Sequence, residues 1–194
     1  MRTTQDDARE NQQIEIFDLK AFKGRSNKYT PDAELSCEGS KFEVELKTSD
    51  IKRKTISTAR GVTLKKIDEW RNVPIWIFSQ YEKPNKLTGE HYVLFPEQME
   101  ARYKKFEKQI RHGSKKLMGL NDWQEARKIL VAENFDKSKL EKLDYNIEHK
   151  GVALNDPKIP WSYVVENGTK IRSGEELRLV VRQYYKKTSL ENEG

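Results

Sequence analysis

Apolar and polar residues alternate from Lys41 to Thr48. Phe42, Val44 and Leu46 fall on one side of an extended chain, and Glu43, Glu45 and Lys47 on the other. This spacing predicts a strand with one face turned to a core. Val73 to Tyr81 is an unbroken run of bulky, β-prone residues and predicts a buried strand. His91 to Phe95 predicts a partner for it, reached through a hairpin-like loop holding Pro84, Asn85 and Gly89. A helical period governs Val62 to Arg71, with Val62, Ile67 and Trp70 inward. The same period runs from Glu97 to Arg111 behind Pro96, with Met99, Tyr103, Phe106 and Ile110 as its apolar stripe. Asn121 to Val131 and Asp136 to Tyr145 read as two further helices with N-capping residues.

The ends of the chain are patterned less clearly. Residues 1 to 12 read as a disordered or helical lead-in. Ile14 to Phe22 reads as a strand-like run, and Leu177 to Tyr185 as a closing strand. Lys150 to Ile171 reads as loop-rich, with Pro157, Pro160 and a short apolar run from Trp161 to Val165. Consecutive strands, a central helix and a helical excursion before the last third give an α+β or mixed α/β class.

Composition narrows the function. The chain has 194 residues, enough for one domain with a real core. Its net charge of +6 points to a polyanionic partner, with nucleic acid favoured because no basic amphipathic helix suggests a membrane surface. A single cysteine, Cys37, rules out an internal disulfide framework and any multi-cysteine zinc site, and suits a reducing compartment. His91, His112 and His149 have no metal-ligand spacing. The polar N-terminus lacks a signal peptide's apolar run, so a cytoplasmic protein is expected.

The candidate chemistry lies on the alternating strand. Glu45 and Lys47 share its polar face, and Asp32 arrives from the Pro31–Asp32 turn upstream. Two carboxylates suit a hard divalent cation, which is commonly held by one or two such groups with several waters. A neighbouring lysine can position or deprotonate a water. Together they equip a chain to hydrolyse a phosphodiester. The same acid-x-lysine spacing also occurs at Asp18–Lys20, Asp50–Lys52, Glu148–Lys150 and Asp156–Lys158, and the charged face would equally suit a solvated edge strand.

Three blocks carry a family resemblance. The first is Asp32-Ala33 with Glu45-Leu46-Lys47. The second is Ile56-Ser57-Thr58, then Trp70-Arg71-Asn72-Val73-Pro74 leading into Ile75-Trp76-Ile77-Phe78. The third is Asn155-Asp156-Pro157-Lys158-Ile159-Pro160, then Tyr163-Val164 and Gly168-Thr169-Lys170-Ile171. Over residues 13–106 and 154–171 the chain resembles the PvuII-type type II restriction endonucleases of the PD-(D/E)XK superfamily. That resemblance implies a central mixed sheet flanked by helices in one nuclease domain, residues 1–194, with a helical insertion at about 113–151. Asp32 and Glu45 stand further apart here than in the family, which a longer hairpin would absorb. The family's helical N-terminal segment, much of its dimer contact, is mostly missing.

The resemblance also implies a mechanism. Asp32, Glu45 and the Leu46 carbonyl would hold Mg²⁺, with Mn²⁺ as a substitute, and Lys47 would orient or activate the attacking water. A homodimer would cut both strands of a palindromic DNA duplex to blunt ends, with a cognate DNA methyltransferase as functional partner in the cell. Ser57 and Thr58 match the family's base-reading loop, but Arg60 and Gly61 replace its histidines, so the site read should differ. Arg60 would fork onto guanine, or else pair with Glu69. Asn155 would reach a base or phosphate. Asp156 would take a cytosine or adenine amino group, or simply start a turn before Pro157. Lys52, Arg53, Lys54, Lys23, Arg25 and Lys28 would contact phosphates without specifying sequence. A structure-specific nuclease of the same fold and a catalytically inactive DNA-binding module are the alternatives.

Overall fold

The computed structural model describes residues 5–22, 31–58, 64–82, 85–114 and 157–192, and ten positions between 127 and 141. The elements are α1 (Gln5–Phe17), β1 (Lys20–Ala21), β2 (Ala33–Cys37), β3 (Ser40–Asp50), β4 (Thr55–Ser57), α2 (Leu64–Arg71), β5 (Ile75–Glu82), β6 (Lys86–Leu94), α3 (Pro96–Ser114), β7 (Lys158–Pro160), α4 (Trp161–Asn167), β8 (Thr169–Lys170) and α5 (Gly174–Asn192). Six strands form one sheet in the order β1-β2-β3-β5-β6-β8, and β4 pairs with β7 in a separate ribbon. Among the described residues only the β3–β5 pairing is parallel in the large sheet, which makes it mixed. The crossover from β3 to β5 carries β4 and α2, as a parallel pair requires.

Helices cover both faces, and β5 shows why its sequence is continuously apolar. Trp76 and Phe78 join the core shared with Trp70 of α2, Tyr103 of α3 and Val164 of α4. Ile75 and Ile77 join the opposite core, with Phe17 of α1 and Leu177 and Val181 of α5. Fully burying a side chain of this kind stabilises by roughly 1.5–3 kcal/mol. The expected stripe of α3 holds at Met99, Tyr103 and Phe106, all fully buried. Gly168 joins α4 to β8, and a Cβ there would lie 2.6 Å from Leu94 Cδ1 and 2.7 Å from the Val164 carbonyl.

Both chain ends differ from the sequence expectation. Ile14 to Phe17 is the last turn of α1, and only Lys20 and Ala21 of that stretch form a strand. Gln13 and Phe17, four residues apart, are the fully buried positions, as one helix face requires. Asp18 adopts a left-handed φ of 50°, and Leu19 N–H donates to the Ile14 carbonyl, closing the helix. Leu177 to Tyr185 lies inside α5 rather than a strand. Leu177 and Val181 are its buried i, i+4 pair, and Ser173 Oγ accepts from Glu176 N–H at its start. The stretch read as loop-rich holds β7, α4 and β8, and its apolar run Trp161 to Val165 is helical. In the segment read as an insertion, residues 127, 128, 131, 132, 137, 138, 140 and 141 are helical, and residue 113 still belongs to α3.

A buried polar link ties α1 to the sheet. Gln13 Nε2 donates to Ser79 Oγ at 2.8 Å, and Ser79 Oγ lies 2.8 Å from His91 Nδ1. His91 is 3% exposed, with Phe17 edge-on at 5.2 Å. Burial pushes the imidazole below its ordinary pKa, with Lys170 adding to that and Glu90 opposing it. The unfolded chain therefore binds the proton more readily than the fold does. Stability is complete above the ordinary histidine value of about 6.5 and falls as pH drops through it toward the folded pKa. Melting curves should show a larger acid loss between pH 7.5 and 5 for the wild type than for His91→Gln, and equal losses would exclude this source.

Candidate active site

The β2–β3 hairpin turns at Glu38 and Gly39, both at positive φ, as a two-residue hairpin loop of this twist requires. Its register sets Ala33 opposite Val44, so the residue before β2, Asp32, meets Glu45. Asp32 N–H donates to the Val44 carbonyl at 3.0 Å. The hairpin thus brings Asp32 beside Glu45. On β3 the alternation holds as read. Val44 and Leu46 enter the core, and Glu45 and Lys47 emerge together on the other face.

These side chains converge on one point. Lys47 Nζ lies 2.6 Å from Glu45 Oε1, 3.5 Å from Asp32 Oδ2 and 2.9 Å from the Leu46 carbonyl oxygen. Asp32 Oδ2 also accepts the Leu46 N–H at 2.7 Å, which fixes that carboxylate against β3. The side chains of Asp32, Glu45 and Lys47 are only 7%, 10% and 13% exposed. A solvated edge strand would not bury them, so that reading is excluded. Burial pushes the Glu45 carboxyl above its ordinary range, Asp32 adds to the rise, and Lys47 opposes it. For Lys47, burial works against the ammonium, but Glu45 and Asp32 outweigh it and hold its pKa above the usual lysine value. Lys47 is therefore a cation and hydrogen-bond donor at neutral pH.

The other described copies of the acid-x-lysine spacing do different work. Asp50 Oδ1 accepts the Lys52 N–H at 2.9 Å and shapes the turn that ends β3, leaving the Lys52 side chain exposed. Asp18 pairs with Arg178 at 2.7 Å. Lys158 lies on β7. Lys150 with Glu148, and Asp156, lie outside the described residues.

A cleft of about 560 Å³ opens beside Lys47, with Thr48, Asp50 and Tyr81 from the carboxyl ends of β3 and β5 among its lining residues. Ligands of α/β sheets favour that end of parallel strands. Ser57 and Thr58 also line it. The β4–β7 ribbon pairs Ser57 with Lys158, and Thr58 Oγ1 donates to the Pro157 carbonyl at 2.8 Å. Two blocks far apart in sequence are therefore one structural unit at the cleft. Lys52 and Lys54 are exposed on the β3–β4 connection, next to the cleft-lining Arg53. Arg60, Asn155, Asp156, Lys23, Arg25 and Lys28 lie outside the described residues. Trp70 and Trp76 are core residues, as expected, and Trp161 packs against that core half-buried.

Sequence reasoning missed Arg9 and Glu10 of α1, which form part of the cleft wall. The signal was helical spacing, since Arg9, Gln13 and Phe17 recur every four residues. Among the described residues no group of three or more histidine, cysteine or acidic side chains is placed to hold a metal. The donor set here is two carboxylates and a carbonyl around a bound ammonium. Three hard oxygens gathered on a cation fit a hard divalent ion that keeps part of its water. Among the described residues no helix is long and apolar enough to cross a membrane.

The family model for the restriction endonuclease PvuII matches residues 3–133. The match takes in α1 to α3 and all of Asp32, Glu45 and Lys47, and it ends before the Asn155–Lys158 block. It begins ten residues before the resemblance read from the motifs, so α1 falls inside it. No curated protein matches the chain significantly.

Proposed function

The chain belongs to the restriction endonuclease PvuII family, and from that premise we propose that it is a magnesium-dependent enzyme cutting duplex DNA at a palindromic site to blunt ends. The observation that carries this reading is the convergence of Asp32, Glu45 and the Leu46 carbonyl on the Lys47 ammonium, at the edge of a cleft with further cations in its wall. Asp32, Glu45 and the Leu46 carbonyl are the groups that would hold Mg²⁺ or Mn²⁺. When bound, the ion supplies positive charge against the negative charge developing on the phosphate and acidifies water.

The protein's own groups then have distinct tasks. The Leu46 N–H keeps Asp32 aimed at the site. Lys47, an ammonium with three donors of which Glu45 and the Leu46 carbonyl take two, orients the attacking water with the third and balances charge on the scissile phosphate. The new P–O bond forms from the water oxygen, which gives up a proton to solvent, as the bond to the leaving oxygen of the strand breaks and that oxygen takes up a proton from solvent. The nearly buried setting strengthens each of these electrostatic contacts relative to water. A homodimer would present two such sites to the two strands of a symmetric duplex, with part of the interface from the 113–151 segment. The enzyme would work in the cytoplasm, beside a methyltransferase that protects the host's own sites. Digesting genomic DNA with Mg²⁺ and sequencing the fragment ends tests this reading. Ends sharing one palindromic sequence support it, and ends placed by DNA shape alone would replace it with a structure-specific nuclease.

Base readout is assigned to the segment after Thr58. We propose that Arg60 forks onto a guanine in the major groove. A bidentate arginine–guanine contact contributes roughly 1–3 kcal/mol of discrimination, or about five- to 160-fold. Arg60→Ala should relax cutting at one G·C pair across a library of single-base site variants. Lys52→Ala and Lys54→Ala should instead weaken binding on every sequence. A uniform drop with Arg60→Ala would make Arg60 a phosphate or structural residue.

A further inference from the structure

We propose that Arg9 of α1 is a phosphate-contacting residue of the cleft, holding a DNA backbone phosphate beside the one that Lys47 faces. This rests on the nuclease reading and deepens it. Arg9, Lys47, Arg53 and Lys158 line the same cleft, coming from four different elements or connections. Among the described residues the acids in that wall are Glu10 and Asp50. Lys47 is matched by Asp32 and Glu45, and outside that cluster Arg9, Arg53 and Lys158 outnumber the two acids of the wall, which favours a polyanion there.

Arg9 is built into this wall rather than hanging over it. Its guanidinium carbon lies 3.9 Å from the centroid of the Tyr81 ring, and the residue is only 6% exposed. One turn on, Gln13 fastens the same helix to Ser79 of β5, the strand that carries Tyr81. A guanidinium stacked on a ring has already lost much of its rotational freedom. Less is lost when it forms two parallel hydrogen bonds to a phosphate. A lysine at this position would keep the charge but lose the planar support.

Binding of a random-sequence duplex, without divalent metal and between 50 and 200 mM salt, tests the assignment. Arg9→Gln should weaken binding about tenfold and shallow the salt dependence by about 0.9 in log–log slope for each subunit engaged. Arg9→Lys should keep the wild-type slope with lower affinity. Arg9→Met, which retains an apolar stem against Tyr81, repeats the test should the glutamine variant melt early. Lys41→Gln, on β3 and 3.2 Å from Glu34, is the control and should match the wild type. Wild-type affinity and slope in a folded Arg9→Gln protein would overturn the assignment. The slope decides the role of Arg9 whether or not the DNA is cut. Cleavage with Mg²⁺ decides the nuclease reading whether or not the slope moves.

Discussion

Lys47→Ala is expected to lower the single-turnover rate of DNA cleavage roughly 10²–10⁴-fold while leaving DNA affinity within a few-fold of the wild type. The range is that of removing one positioned proton-transfer or charge-stabilising group. The geometry gives the reason for the split. Lys47 Nζ is held by Glu45, Asp32 and the Leu46 carbonyl, which leaves it little freedom to bind DNA elsewhere. A group that acts mainly on the transition state changes rate more than ground-state binding. Its loss also leaves two carboxylates facing each other in a nearly buried site. Melting curves must therefore accompany the kinetics, and Lys47→Met serves where the alanine variant is unstable. Lys52→Ala is the informative comparison, because Lys52 has the same acid-x-lysine spacing but an exposed side chain. It should lower affinity modestly and spare the saturated rate. Equal rate loss at both positions would refute the assignment of Lys47 to the reacting centre.

Excess EDTA should abolish cleavage, and Mg²⁺ or Mn²⁺ should restore it. Glu45→Gln should raise the Mg²⁺ needed for half-maximal rate by roughly 100-fold, because one of two carboxylates becomes a neutral amide that binds hard cations weakly. A second readout does not depend on activity. An ion that binds the fold and not the unfolded chain stabilises it by RT ln(1 + [L]/Kd), about 2.7 kcal/mol at a hundred times Kd. The wild-type melting temperature should therefore rise with Mg²⁺. The Glu45→Gln protein should show little rise at the same concentration. In the absence of metal, the variant should be at least as stable as the wild type. Glu45 stands among desolvating neighbours and beside Asp32, which push its carboxyl toward the neutral form. Full cleavage in EDTA, or a Mg²⁺ response unchanged by the substitution, would remove Glu45 from metal binding.

Much of the site was legible because local pattern carries it. Period-two alternation puts Glu45 and Lys47 on one face of β3 whatever the strand packs against. The Ala33–Val44 register then brings Asp32 to them through a hairpin, a contact between near neighbours in the chain. Helices α2 and α3 were legible for the same reason, since each buries one stripe at a constant period. Where two patterns fit, tertiary packing chose. Ile14 to Phe17 and Leu177 to Tyr185 have apolar residues close enough together to suit a strand, but the space over that face of the sheet is filled by helices. The S-x-x-E sequence at Ser173 to Glu176 is a helix-start signal that local pattern does carry.

Sequence alone determined that Asp32, Glu45 and Lys47 are two carboxylates and an ammonium of the kind that suits a hard cation, and it determined the mixed class of the fold. Tertiary structure decided which acid-x-lysine copy is buried and gathered with a further carboxylate. Charge and spacing are equal at Glu45–Lys47 and Asp50–Lys52, but only the first is buried against a second acid, Asp32. Tertiary structure also joined Ser57 and Thr58 to Pro157 and Lys158, and set Arg9 on Tyr81 in the cleft wall. Such pairings are invisible to local pattern because they depend on which elements share a sheet end. That choice is made by the packing of both cores at once.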